Sequence, residues 1–173
     1  MAKLRKMLGE TNSPECIALM RQIETQSKET LVRWAVGYAE DILLPVLQKR
    51  FSVPEPSAAV DEVKKWLTGE ISLKDLKPVL KEARDCVKAV SDPVSEAAVR
   101  GVSTACAVCT TPTNALGFVF YAAAAIAYDR AGPEETADVY NRMAAEVFTN
   151  ALETLRAVSV ENEPNPVKID WNC

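Results

Sequence analysis

The chain has 173 residues, of which 48% are hydrophobic and 25% charged, with a net charge of −4. That length serves one domain able to bury a core without disulfide or metal, and that composition excludes a disordered chain. The acidic balance, with no basic block, excludes the electrostatic footprint of a nucleic-acid binder and is compatible with a basic protein partner.

Helix signals follow one another in chain order. Ser13-Pro14-Glu15 supplies a cap, a proline at the first helical position and an acid in the first turn, and predicts a helix to about Gln26. Ser27 caps the next, from Lys28 to about Arg50, with a wide apolar arc from Leu31 to Leu47 that leaves Leu44 outside it. Pro45 should bend this helix or end its regular part. The prolines of Ser52-Val53-Pro54-Glu55-Pro56-Ser57 predict a loop, and Ser57 then caps a helix to about Thr68. Ser72 starts a segment that is reset at Pro78 and runs to about Val90. Asp92-Pro93 opens a helix to about Thr110, Thr111-Pro112 another that ends before Gly132, and Pro133-Glu134-Glu135 the last, to about Val158. The proline-containing tail, residues 159–173, should be irregular. The expected architecture is therefore all-α: a bundle of about seven helices forming a single domain over 1–173.

Residues 101–128 carry no charged side chain. Thr110-Thr111-Pro112-Thr113-Asn114 interrupts the run, so a buried helical hairpin is expected rather than a membrane span. Its alanines and glycines permit close backbone approach, which places the pair at the centre of the bundle, sealed by the other helices. Trp34 and Trp66 lie on apolar stripes and belong to the core. Trp171, in the tail, either docks on the bundle or waits for a partner.

The chain contains no histidine, which removes imidazole-based triads, imidazole zinc sites and the commonest general acid/base. The start, Met1-Ala2-Lys3-Leu4-Arg5-Lys6, has no apolar run of a secretory signal, and a cytoplasmic location is expected. Five cysteines, at 16, 86, 106, 109 and 173, then read as reduced thiols. Cys106-Ala107-Val108-Cys109 has the spacing of a redox dithiol or half a zinc site, but it falls near a helix C-terminus, where the dipole raises a thiol pKa. Paired acids such as Glu40-Asp41 and Glu134-Glu135 diverge by about 100° on a helix and share no site. The latter pair is explained by the dipole of the helix it opens. No phosphate-binding glycine loop occurs.

The run Trp34-Ala35-Val36-Gly37-Tyr38-Ala39-Glu40, then Leu44-Pro45 and Trp66-Leu67-Thr68-Gly69, resembles bacterial immunity proteins of the Imm5-like kind. Thr111-Pro112-Thr113-Asn114-Ala115-Leu116-Gly117, continuing through Tyr121 to Tyr128-Asp129, is similar to their most recognisable block. The tail from Glu161 to Pro166, ending Trp171-Asn172-Cys173, is similar to some members as well. The resemblance implies an all-α protein of a polymorphic-toxin system that binds and neutralises a cognate toxin, with no catalysis and no cofactor. It also implies histidines near the end of one central helix and the start of the next, where this chain has Cys109 and Asn114.

A protein partner is thus expected, with no nucleic acid and no membrane. The candidate contact residues are Glu40, Asp41, Arg100, Asn114 and Trp171. The alternatives are a redox or metal-binding protein that uses Cys106 and Cys109, and a helical scaffold that pairs with its own copy.

Overall fold

The computed structural model describes residues 3–172; Met1 and Ala2 of the sequence's start and the thiol of Cys173 lie outside the described residues. The chain is all-α, with no strand among the described residues. Its helices are α1 (Pro14–Ile23), α2 (Lys28–Tyr38), α3 (Leu44–Gln48), α4 (Glu55–Leu67), α5 (Leu73–Asp85), α6 (Pro93–Cys106), α7 (Asn114–Ala131) and α8 (Ala137–Val158). A wide turn over Ala39–Leu43 joins α2 to α3, so the helical rods number seven among the described residues, as expected.

The caps read from the sequence hold at Ser13, Ser27 and Asp92, but not at Ser57 or Thr111. Ser13 accepts from the Cys16 amide, Ser27 from that of Thr30 and Asp92 from that of Ser95. Ser72 and Asp75 form a reciprocal capping box. Proline acts otherwise than expected in four places. At Thr111-Pro112, α7 opens only at Asn114, and its N-cap residue Thr113 makes no side-chain cap bond. Helix α4 starts at Glu55 rather than after Ser57, because Pro56 falls in the first turn, where its missing N–H would have had no partner. Helix α5 runs through Pro78 without a reset and gives way at Cys86–Ala89 to a tighter turn. The last helix begins at Ala137 with Thr136 as its cap, so Asp138, not Glu134 or Glu135, occupies the first turn.

Pro45 has the predicted effect by a particular route. It cannot donate to the carbonyl four residues back, and its ring needs room there. The chain widens, and the Leu44 amide reaches back five residues to the Ala39 carbonyl. The extra residue turns the helix face by about 100°, which brings Leu44 into the core and leaves Ile42 only half-buried.

Helices α6 and α7 are the central pair, as expected. α6 is flanked by α2, α3, α4 and α5, whereas α8 packs on α7 and α1. Ala122, Ala123, Ala124, Ala125 and Ala127 of α7 are fully buried. Gly101 of α6 lets the two backbones meet: a Cβ there would lie 3.7 Å from the Ala122 amide and 2.8 Å from Leu43 Cδ1. Trp34 is buried, edge-on to Phe118, and its indole donates to Thr154. Trp66 is only half-buried, with the Lys28 ammonium over its ring.

The tail is irregular, and it docks. Gln26, fully buried, accepts from the Val160 amide at 2.7 Å and donates to the Val160 carbonyl at 3.1 Å, while its own carbonyl accepts from the Val167 amide. The Trp171 indole donates to Glu24. Burial raises the Glu24 pKa, but hydrogen bonds from Arg21 and Trp171 outweigh it and hold the carboxyl below its usual range.

Candidate functional site

Between α5, α6 and α7 the chain forms a cleft of about 390 Å³. It lies on the flank of the central pair, so the expectation of a hairpin sealed on all sides is corrected here. The seal fails because α5 offers long charged side chains along this edge. Lys77, Lys81 and Arg84 recur at the spacing that puts them on one helix face, and they form one wall. α6 contributes Arg100, Ser103, Thr104 and Ala107, and α7 contributes Asn114 and Tyr121.

The charges in this cleft are unbalanced. Lys81 is matched by Asp85 at 2.8 Å, and this contact holds the Asp85 carboxyl below its usual range. Lys77, Arg84 and Arg100 form no ion pair with a described residue. The Arg100 Nε is buried and has no acceptor among the described residues, a costly arrangement for a charged group. Among the neutral groups, Ser103 donates to the Arg100 carbonyl and Thr110 to that of Ala107, so these protons are spent. Thr104 and Tyr121 retain hydroxyls without a partner among the described residues.

Asn114 ties the junction of the central helices. Its amide donates to the Ala107 carbonyl at 3.1 Å, an oxygen that also receives the Thr110 and Thr111 amides. This hub explains why a Thr-Thr-Pro-Thr-Asn stretch turns α6 into α7. A second hollow, of about 420 Å³, lies under the N-terminal segment and is lined in part by Tyr128 and Tyr140. Both phenols are already committed, to the carbonyls of Arg5 and Gly132, so that hollow offers fewer free donors.

The structure brings together two of the five candidate contact residues, Arg100 and Asn114, and leaves the others apart. Glu40 and Asp41 ride on the wide turn, where Glu40 pairs with Lys64 of α4 and Asp41 is exposed without an ion pair to a described residue. Trp171 is half-buried against the core. Lys77, Arg84 and Thr104 were not singled out from the sequence, and Tyr121 only as part of the block that resembles the immunity family. The one signal for the two cations was their spacing on α5, which the supposed reset at Pro78 concealed.

Cys106 ends α6 and Cys109 closes the turn after it. Both are fully buried, and Cys109 donates its thiol hydrogen to the Cys106 carbonyl. Burial pushes the Cys106 thiol far up and that of Cys109 up to about 11, the Lys28 charge opposing the latter only in part. Groups so placed are poor sources of thiolate.

A family model described as "Imm-5 like putative immunity protein" matches residues 21–147, well over half of the chain. No curated protein matches, and no solved structure does. The matched region runs from α1 into α8 and includes every residue of the cleft.

Proposed function

The chain belongs to the Imm-5 like immunity protein family, and from that membership we propose that it binds a cognate bacterial toxin in the cytoplasm and neutralises it without catalysis of its own. The family match is the observation that carries this reading. Two features support it. Cys106 and Cys109, the pair with redox spacing, are buried with raised pKa values. Among the described residues, no helix is long and apolar enough to cross a membrane.

The face offered to the toxin is the acidic one around the wide turn. Asp41 stands free there, and Glu40 is held half-exposed by Lys64. Such turns interrupt the regular helix and are frequent at functional sites. An acidic patch mainly speeds the encounter with a basic partner, while a few buried contacts supply the affinity.

The test is co-expression with each protein encoded by the genes that flank this chain's own. Rescue of growth and a complex that co-elutes on size exclusion are expected. Asp41→Lys combined with Glu40→Lys should slow association by about tenfold at low salt. No rescue and no complex would sink the function; normal association of the double variant would move the contact face elsewhere.

A further inference from the structure

We propose that the α5–α6–α7 cleft binds a phosphorylated small molecule of sugar-phosphate or nucleotide size, with the phosphoryl group taken by Arg100, Arg84 and Lys77. The proposal does not rest on the immunity reading and can fail or succeed without it.

Charge gives the first argument. This acidic chain gathers Lys77, Arg84 and Arg100 in one recess, with no carboxylate of a described residue at ion-pair distance from any of them. A phosphoryl group brings about two negative charges and three acceptor oxygens, which matches that excess better than one carboxylate does. Arginine's planar fork suits such an oxyanion in two-bond geometry. The Arg100 Nε, buried without an acceptor among the described residues, marks a guanidinium that the folded chain leaves unsatisfied.

Size and lining give the second. A recess of about 390 Å³ has the volume of a small-ligand site. The Thr104 and Tyr121 hydroxyls, together with the Asn114 side-chain oxygen, can bond the hydroxyls of the ligand. Leu80, Ala107 and the half-buried Tyr121 ring provide an apolar strip beside them. A nucleic-acid strand is a poorer fit, because the chain as a whole is acidic and has no extended basic track.

Isothermal titration of the purified full chain tests this, with ribose 5-phosphate and adenosine monophosphate as probes and ribose, glutamate and inorganic phosphate as controls. At least one organic phosphate should bind, and Arg84→Gln should weaken it by about tenfold or more. Arg84 is exposed, so that variant is expected to fold normally. Arg100→Gln should abolish binding while circular dichroism stays unchanged, and Glu153→Gln, exposed on α8 and away from the cleft, should leave it intact. The proposal is overturned if no organic phosphate binds at millimolar concentration, if Arg84→Gln binds as well as the parent, or if glutamate binds equally. Equal affinity for inorganic phosphate would overturn the assignment of the organic part.

Discussion

Gln26 holds the two ends of the chain together through both side-chain atoms and its own carbonyl. A polar side chain this deeply buried is tolerated because its amide reproduces the pairing of a backbone unit, accepting from and donating to the same residue, Val160. Gln26→Leu keeps much of the shape and removes those bonds. Val160 is itself exposed, so water can replace part of what it loses. The variant is therefore expected to lose about 1–2 kcal/mol in urea unfolding, with faster hydrogen exchange at the Val160 amide. Unchanged stability and exchange would show that the tail is held by Val167, Ile169 and Trp171 packing instead. None of this was legible in the sequence, since a glutamine at the end of a helix carries no sign of a partner 134 positions away. Arg100 and Asn114 were legible only as polar residues flanking a charge-free run. That Asn114 spends its amide on Ala107 depends on the turn geometry between two helices.

At the scale of elements, the sequence was most readable where cap chemistry is local and least where proline was given one meaning. Ser13, Ser27, Ser72 and Asp92 cap as expected, because a cap needs only its own first turn. Pro45, Pro56 and Pro78 each take a different solution, and which one depends on packing the pattern does not contain. The wide turn at Pro45 has a consequence for α6. It sends fully buried Leu43 against Gly101, where a Cβ would come within 2.8 Å of Leu43 Cδ1. Alanine is favoured over glycine in a helix by about 1 kcal/mol, but overpacking a tight core costs about 1–3 kcal/mol. Gly101→Ala alone is thus expected to destabilise by about 1 kcal/mol. In a Leu43→Ala background the obstruction is gone, and the same change should become stabilising. Thermal or urea unfolding of the four proteins reads this reversal of sign. Additive effects would show that the wide turn does not set the approach of α3 to α6.

Across the whole molecule, the charge-free run does become the central pair, and its alanine-rich surface explains how so many elements can pack around α6 and α7. What the sequence could not reveal is that this pair is open on one flank, because the α5 cations belong to a different segment and meet it only in the fold. The covered part can be probed through its own thiols. Cys106 and Cys109 sit at the junction of the pair, fully buried, and at pH 8 a thiol with a pKa of about 11 is ionised to roughly one part in a thousand. Alkylation must then wait for an opening event, and two kinds are possible. If the junction frays locally, the labelling rate at these sites is independent of global stability. If it opens only with the whole core, the rate follows the unfolding equilibrium and rises about fivefold for each 1 kcal/mol removed. The second behaviour is expected, since Cys106 and Cys109 belong to the same buried cluster as residues of α1, α2 and α8. Mass spectrometry of Cys106 and Cys109 alkylation in the parent and in Gly101→Ala would decide it. Equal rates in the two proteins, or labelling of the native parent as fast as a slightly ionised free thiol allows, would mean that the centre of the bundle is open to solvent on its own.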